Sequence, residues 1–218
     1  MYFWFMRFTD VHTHFINPSN AFVLDISDNY AKASEADFFS VGIHPKTLKT
    51  FEELTDNFLA LSSLAEKKNC AAIGECGFDK FSPLNVTEQE KIFSAQILVA
   101  QRFKKPLIIH CVRLYNEVIR CLNKARFSLP VVFHGYNADS QTTKNLLKYP
   151  NINFSFSERT LTGFKSLPLI PLDRIFVESD TDEKTDFAKL INNIAGVKNA
   201  GFDEIKAGIE NNFKRLFC

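Results

Sequence analysis

Short apolar runs alternate with longer amphipathic stretches along almost the whole chain, a pattern that predicts alternating strands and helices. The short runs are rich in Val, Ile and Phe and nearly continuous in apolarity, which is typical of parallel strands buried on both faces. They predict strands over residues 2–9, 22–25, 38–43, 71–75, 107–110, 131–134, 152–156 and 175–178. Eight strands with intervening helices favour an α/β fold, a compact (β/α)8 TIM barrel that forms a single domain over residues 1–218. A doubly wound open sheet is the main alternative.

The segments between the strands carry apolar residues at helical spacing. Helices are predicted over residues 51–68, 87–103, 115–125, 140–148 and 205–217. The second of these opens on Thr87 and Glu90, a capping-box pattern. Its apolar face is expected to bury Ile92, Phe93, Ala95, Ile97, Leu98 and Val99. The segments after the first two strands are too short for long helices, so those two units should be compressed.

Composition bounds the class of protein. The chain has 218 residues, of which 45% are hydrophobic, enough for one large domain with its own core. The formal net charge is +1, so no overall field attracts nucleic acid or a membrane surface, and any contact with a polyanion has to be local. There are 23 Phe, which predicts a Phe-packed core, although a compositional bias without functional meaning explains the number equally well.

Cysteine usage and the absence of long apolar runs suggest a cytoplasmic location. Five cysteines, an odd number without a CxxC spacing, argue against a disulfide framework and a zinc ribbon. Cys76 and Cys111 each directly follow a candidate ligand, so their side chains should point away from the site. The apolar first eight residues are too short for a signal peptide, and no run approaches the roughly 18 residues of a membrane span. We therefore expect a soluble protein with no membrane contact and no obligate protein partner, and a monomer because no exposed heptad pattern occurs.

Imidazole and carboxylate side chains recur where the strands are predicted to end. All five histidines fall at such positions, and the full set is His12, His14, His44, Glu75, His110, His134 and Asp180. The carboxyl ends of the strands of a (β/α)8 barrel meet at one face. Since imidazole and carboxylate are ligands of divalent metals, the pattern predicts one shared metal site.

The spacing suggests separate roles within such a site. Two residues that are one apart on a strand point to the same side, so His12 and His14 can bind one ion, and Asp10 has the same parity and can orient an imidazole. Glu75 can bridge two ions, while His110 and His134 can hold the second. Asp180 can complete the shell of the first ion or accept a proton from the attacking water. Two ions roughly 3.5–4 Å apart would suit hydrolysis of a phosphoester, an amide or a lactone.

The same residues stand in segments that resemble the TatD family of metal-dependent hydrolases, which are deoxyribonucleases of the amidohydrolase-like barrel superfamily. The matching segments follow the family's order and span almost the whole chain: 10–14 (Asp-Val-His-Thr-His), 42–45 (Gly-Ile-His-Pro), 73–79 (Ile-Gly-Glu-Cys-Gly-Phe-Asp), 106–110, 131–135, 177–180 and the tail 212–217. The resemblance implies a hydrolase that acts on ester bonds, a DNase with DNA as its transient partner, which removes nucleotides from a 3′ end.

The resemblance also implies a role for each matching residue. It implies that one ion is bound by His12, His14, Glu75 and Asp180, and a second by Glu75, His110 and His134, with magnesium expected and zinc or manganese as alternatives. The catalytic residues would be Asp180, as the general base, and Glu75. His44 would contact the substrate phosphate rather than a metal.

The chain departs from the family pattern near the substrate. The arginine that usually stands two residues after the histidine of the fifth strand is one residue late here, at Arg113, and Lys46 replaces a family histidine. Both residues are candidates for a phosphate contact, although Lys46 can equally be a solvated surface lysine. Asp79 is expected to be a structural loop residue.

Two other functions stay open on the sequence alone. The first is a hydrolase of a small phosphodiester, amide or lactone that uses the same metal site. The near-neutral net charge supports this hypothesis, because DNA binding normally requires clustered cations. A metal-stabilised barrel that binds a partner without catalysis is the non-enzymatic alternative.

Overall fold

The computed structural model describes residues 8–47, 54–161 and 165–217. Its strands are β1 (Thr9–Thr13), β2 (Ala21–Asp25), β3 (Phe39–Val41), β4 (Cys70–Asp79), β5 (Leu107–Val112), β6 (Val131–Phe133), β7 (Ile152–Phe156) and β8 (Ile175–Val177). Its α-helices are α1 (Leu54–Ala65), α2 (Val86–Phe103), α3 (Tyr115–Lys124), α4 (Ser140–Leu146), α5 (Glu158–Leu161), α6 (Phe187–Lys198) and α7 (Phe202–Phe217). Short 3-10 helices lie at Tyr30–Ser34, Leu167–Leu169 and Leu172–Arg174.

The chain divides into two compact units. The central unit is Asp25–Phe133, and in it β3, β4, β5 and β6 pair side by side, all in parallel. Helix α2 packs against β4, and α1 packs against β3 and β4. This unit is therefore a parallel sheet whose strands are connected by helices that cover it.

The terminal unit is Met1–Leu24 together with His134–Cys218. In it β1 pairs in parallel with β2, and β7 pairs in parallel with β8. A bridge between Thr13 and Asp180 joins the end of β1 to the chain just after β8, and α7 packs against both strands. The beginning and the end of the sequence thus share one core. The predicted single domain over residues 1–218 stays a prediction.

The predicted first strand overlaps the observed β1 only at Thr9. It was expected over residues 2–9, of which residues 2–7 lie outside the described part, and β1 begins at Thr9 and ends at Thr13. His12 consequently lies inside the strand, fully buried, and His14 just beyond its end. The continuation to Thr13 was not predicted because apolarity alone does not fix which residues pair with a neighbour.

The other predicted strands form close to their expected positions, although β3, β6 and β8 are shorter than predicted. β4 continues to Asp79 and β5 to Val112, beyond the predicted ends at residues 75 and 110. Among the helices, α6 was not predicted, and the capping box of α2 is formed by Asn85 and Glu88 rather than by Thr87 and Glu90. Residues 51–53 of the first predicted helix lie outside the described part.

The core is rich in phenylalanine, as predicted. Eight Phe rings in the described part are less than 2% exposed: Phe39, Phe78, Phe93, Phe133, Phe154, Phe156, Phe176 and Phe213. On α2, however, the expected core residue Leu98 is 63% exposed, while Gln89 and Gln96 are buried. None of the described helices has both the length and the apolarity needed to cross a bilayer.

Two glycines let β4 and β5 approach closely. Gly77 faces His110 across the pair and has a φ of 136°, and a Cβ built on it would lie 2.2 Å from the carbonyl oxygen of His110. A Cβ on Gly74 would lie 2.4 Å from the carbonyl oxygen of Ile108. No side chain fits at either position without separating the strands.

We predict that Gly77→Ala lowers the free energy of unfolding by about 2–4 kcal/mol, because the methyl group clashes with backbone and the φ is unfavourable for an L-residue. Urea denaturation followed by circular dichroism measures the change. The matched control is Gly196→Ala on α6, where a Cβ meets nothing within 4 Å. That substitution should be neutral or stabilise by up to about 1 kcal/mol. Equal stability of the two variants would contradict the close approach of β4 and β5.

Candidate metal centre

The terminal unit brings three predicted ligands together. Ligand atoms of His12, His134 and Asp180 all lie within 4.8 Å of one another. The rings of His12 and His134 are 4.4 Å apart between centroids, and Oδ1 of Asp180 is 3.7 Å from Nε2 of both His12 and His14. We call these four residues the His12 cluster.

The backbone around Asp180 holds this cluster in place. The N–H of Asp180 donates to the carbonyl of His12 at 3.0 Å, and the N–H of His14 donates to the carbonyl of Asp180 at 3.1 Å. Asp180 has a φ of 54°, in the left-handed region that Asp tolerates better than most residues. The turn after β8 therefore aims the carboxylate back at the two histidines of β1, and its Oδ2 accepts from Arg159 at 3.2 Å.

Asp10 supports this turn rather than an imidazole ring. Its carboxylate accepts from the hydroxyl of Ser179 at 2.6 Å and from the N–H of Ser179 at 3.1 Å. Burial raises the pKa of Asp10 to about 7, against the lowering effect of the two Ser179 hydrogen bonds and with a further increase from the charge of Glu178. The sequence predicted that Asp10 orients a histidine. In the structure its carboxylate instead fixes Ser179, the residue before Asp180.

Glu178 fixes the segment that carries His134. This glutamate is fully buried, and its Oε1 accepts from the N–H of Gly135 at 2.6 Å and lies 3.7 Å from Nδ1 of His134. A buried carboxylate is costly unless it is hydrogen-bonded. Glu178 thus connects the end of β8 to the residue that follows His134.

The central unit forms a second cluster. Ligand atoms of His44, Glu75 and His110 lie within 4.8 Å of one another. Oε1 of Glu75 is 2.7 Å from Nδ1 of His110 and 3.4 Å from Nε2 of His44. We call these three residues the Glu75 cluster. His44, expected to contact phosphate only, therefore lies where a metal ligand would lie.

Asp79, expected to be a structural loop residue, makes more contacts with the site than the sequence indicated. Its side chain is fully buried, and its Oδ2 lies 2.9 Å from Nε2 of His110 and 2.9 Å from Nζ of Lys46. Its Oδ1 accepts from the N–H of Phe81 at 2.7 Å. Burial would raise the pKa of Asp79, but the hydrogen bonds from His110, Phe81 and Lys46 outweigh it, so the pKa lies below the ordinary value. The His110 ring is consequently held between two carboxylates.

Two buried glutamines of α2 hold the backbone beside this cluster. Gln96 accepts from the N–H of Ile43 at 2.7 Å and donates to its carbonyl at 3.0 Å. Gln89 does the same for Asp79, at 2.8 and 3.2 Å. Each amide hydrogen-bonds both the N–H and the carbonyl of one residue, which fixes the segments that carry His44 and Asp79. A glutamine on the apolar face of a predicted helix was the available signal for this role.

The structure shows the surroundings of three further predicted site residues, His134, Arg113 and Lys46. Within the terminal unit His134 lies beside His12, and its predicted grouping with His110 stays a prediction. Arg113 is exposed and has a φ of 63°, just after β5. Lys46 is exposed and pairs with Asp79 at 2.9 Å, and its contact with a phosphate stays a prediction.

The cysteines in the described part of the chain have raised pKa values, which disfavours a nucleophilic role. Burial, together with the charges of Glu75 and Asp25, raises the pKa of the Cys76 thiol well above its ordinary value. Burial likewise raises the pKa of Cys111, and it raises that of Cys70 to about 11. Since the thiolate is the reactive form, these thiols are inert at neutral pH.

The donor sets fit a divalent metal. Each cluster combines two or three imidazoles with one carboxylate at short mutual distance. Such a donor set is typical of sites for zinc, manganese or iron, and carboxylates extend it to magnesium. The contact of the His110 ring with the Asp79 carboxylate and the hydrogen bond that the N–H of Gly135 donates to Glu178 correspond to the outer contacts that orient metal-binding histidines.

We predict that Asp79→Asn destabilises the protein by about 1–3 kcal/mol, because it leaves His110 and Lys46 without the buried negative charge that pairs with them. Chemical denaturation measures the loss. The control is Lys189→Met, which removes an exposed ion pair with Glu158 and should change stability by less than about 1 kcal/mol. If Asp79→Asn has no larger effect than the control, Asp79 does not anchor His110.

A comparison with solved structures identifies the fold. The structure of YJJV, a TatD homologue from Escherichia coli, matches with a TM-score of 0.79 at 19% identity, over 98% of each chain. At this identity the match shows the fold alone. It confirms the predicted (β/α)8 barrel rather than the doubly wound sheet.

Sequence relatives point to the same group of proteins. A metal-dependent hydrolase of Mycoplasma pneumoniae is 26% identical over 81% of this chain and 77% of its own length. A protein of Cronobacter sakazakii named 3′-5′ ssDNA/RNA exonuclease TatD is 28% identical over 69% of this chain and 59% of its own length. The match therefore spans less than two thirds of that exonuclease.

The family model described as TatD related DNase matches residues 9–218, which include both clusters. The resemblance read from the sequence motifs is thereby confirmed, and the chain belongs to the TatD-related DNase family of metal-dependent hydrolases.

Proposed function

We propose that the protein is a two-metal nuclease that removes nucleotides from the 3′ end of single-stranded nucleic acid, most directly DNA. The observation that carries this proposal is the pair of imidazole and carboxylate clusters at strand ends in a member of the TatD-related DNase family. The relative named as an exonuclease supports the choice of substrate.

The proposed ligands follow the assignment implied by the family. One ion would be held by His12, His14, Glu75 and Asp180, and the other by Glu75, His110 and His134. Glu75 would serve both ions. The position of His44, at 3.4 Å from Glu75, supports a role beside the ions, either toward the substrate phosphate or toward a metal.

In this proposal the side chains of the protein transfer a proton and orient the reacting groups. Bound divalent ions supply Lewis-acid polarisation of the phosphoryl group and lower the pKa of water. Asp180 accepts the proton of the attacking water, a role that fits a carboxylate directed at two ligands and fixed through its own backbone. Glu75 contributes as the shared ligand. Arg159, which donates to Oδ2 of Asp180, places a positive charge where a phosphate oxygen would approach.

The donor chemistry favours borderline ions over magnesium. Imidazoles outnumber carboxylates in both clusters, and imidazole suits zinc, manganese or iron better than it suits magnesium. Magnesium, the cation expected from the family, stays a prediction. Elemental analysis of the purified protein decides between these ions.

A second candidate function is hydrolysis of a small phosphodiester, amide or lactone. The specific observation in its favour is that Lys46 is bound to Asp79 and that Arg113 stands one residue later than the family arginine, so two expected phosphate contacts are altered. A panel of chromogenic phosphodiesters, amides and lactones, run beside a labelled single-stranded oligonucleotide, separates the two functions. Turnover of a small ester with an intact oligonucleotide would reject the nuclease.

We predict that Asp180→Asn lowers kcat by about 10²- to 10⁴-fold, since the amide cannot accept the proton. Metal content, measured by elemental analysis, should remain within about a factor of two, because the imidazole ligands are intact. The control is Asp182→Asn, which changes an exposed carboxylate two residues further on and should leave kcat unchanged. A protein in which Asp180→Asn spares every measurable activity would be a binding protein rather than an enzyme.

We also predict that removal of metal with a chelator lowers the melting temperature, because an ion that binds only the folded state stabilises it. With a free ion at about 100 times its Kd the stabilisation is roughly 2.7 kcal/mol, which corresponds to a shift of about 5–11 °C for a chain of this size. Differential scanning calorimetry measures the shift for zinc, manganese and magnesium in turn. A melting temperature that does not respond to any of the three would contradict the metal centre.

A further inference from the structure

An exposed aromatic ring stands beside the Glu75 cluster. Phe81 is 63% exposed and follows the end of β4 by two residues. Arg113 directly follows β5, and its guanidinium carbon lies 5.7 Å from the centroid of the Phe81 ring. Since the last residues of β4 and β5, Asp79 and Val112, pair with each other, Phe81 and Arg113 stand at the same end of adjacent strands as the cluster.

The Phe81 ring is carried by a fixed segment. The N–H of Phe81 donates to Oδ1 of Asp79 at 2.7 Å, and the N–H of Lys80 donates to the carbonyl of Val112 at 3.2 Å. The hydroxyl of Ser82 donates to the carbonyl of Pro45 at 2.5 Å. Asp79 holds Phe81 with one oxygen and lies beside His110 with the other, so a single side chain connects the exposed ring to the candidate metal centre.

Phe81 differs in type from the other exposed apolar side chains of the described part. The other large apolar side chains that are exposed in the described part are aliphatic: Ile16, Leu59, Val86, Leu98, Leu169 and Val197. A scattered aliphatic residue at the surface is normal and carries no meaning. A rigidly held aromatic ring beside a guanidinium is different, because nucleobases stack on both groups and lose little entropy in doing so.

The local charge agrees with a polyanionic chain at this position. Lys46, Lys80 and Arg113 are all exposed and lie on or next to the segment that carries the ring, while the nearby carboxylate of Asp79 is buried and paired. The whole protein has a net charge of only +1, so this is a local concentration of cations. A phosphate that lies at the Glu75 cluster would have its attached nucleoside within the range of this group.

We infer that Phe81, with Arg113 alongside it, is a stacking platform for one unpaired nucleobase of the nucleic-acid substrate. The inference rests on the proposed nuclease function and adds a base-binding subsite to it. Stacking on a single aromatic side chain does not discriminate strongly among the four bases. The platform therefore favours single-stranded over paired ends and accepts different sequences.

The test is a binding measurement that does not depend on turnover. Two single-stranded oligonucleotides with hydrolysis-resistant phosphorothioate links are compared, one with 2-aminopurine at the 3′-terminal position and one with an abasic site there. With wild-type protein, the fluorescence of 2-aminopurine should be quenched on binding. Phe81→Leu, which keeps an apolar side chain but removes the ring, should weaken binding of the 2-aminopurine oligonucleotide roughly tenfold, the effect of losing one stacked base. The wild-type protein and Phe81→Leu should bind the abasic oligonucleotide with affinities that agree within about a factor of two, because this oligonucleotide has no terminal base to stack on the ring.

Two variants serve as controls. Phe81→Trp retains a stacking surface and should restore the quenching and most of the affinity. Leu98→Ala removes another side chain that is 63% exposed, on α2, and should bind both oligonucleotides like the wild-type protein. Because Phe81 is exposed, its variants should fold, and circular dichroism verifies this.

The outcomes separate the platform from the nuclease. Equal weakening of both oligonucleotides by Phe81→Leu, or no weakening of either, would overturn the platform. Cleavage of an unmodified oligonucleotide by a protein in which Phe81→Leu has no effect would keep the nuclease and reject the platform. Base-dependent quenching in a protein that never cleaves an unmodified oligonucleotide would keep the platform and reject the nuclease.

Discussion

The candidate centre of the central unit depends on how closely β4 and β5 approach each other. Gly74 and Gly77 flank the segment that carries Glu75, and neither position leaves room for a Cβ against the backbone of β5. This contact brings the Glu75 carboxylate to 2.7 Å from the ring of His110. A larger residue at either glycine would separate the strands, and the carboxylate and the imidazole would no longer reach a common ion.

Buried polar side chains then fix what the close strands bring together. Gln96 and Gln89 of α2 satisfy the backbone of Ile43 and Asp79, and Asp79 in turn holds His110, Lys46 and Phe81. In the terminal unit Asp10 and Glu178 act in the same way on Ser179 and Gly135. Each of these groups would be costly to bury without its partners, so the network has one favourable arrangement. Before any ion binds, this arrangement holds the ring of His110 and the backbone segments next to His134 and Asp180.

Membership of the TatD-related DNase family accounts for the ligand types, and the substrate contacts depend on residues particular to this chain. Lys46 replaces a family histidine and forms an ion pair with Asp79, and the late Arg113 lies over the ring of Phe81. Both residues were expected to contact a phosphate. Lys46 anchors Asp79, and Arg113 is part of the proposed stacking surface. A shared fold does not decide substrate choice, so these residues are where the specificity of this protein has to be sought.

The sequence by itself determined the class of fold and the identity of the candidate ligands. Apolar runs report which segments are buried, and seven of the eight strands formed near their predicted positions, while the motif order indicated the family. Residue parity placed His12 and His14 on one side of a strand, because that relation lies within a single element.

Only the tertiary structure decided which side chains meet. The register of β1, the closeness of His134 to His12, and the role of Asp79 as the anchor of His110 and Lys46 all depend on contacts between elements far apart in the chain. Local periodicity carries no information on such pairings, since many partners satisfy the same pattern of burial. They are selected by close packing of strands and by the need to satisfy every buried polar group, and both conditions exist only once the chain has folded.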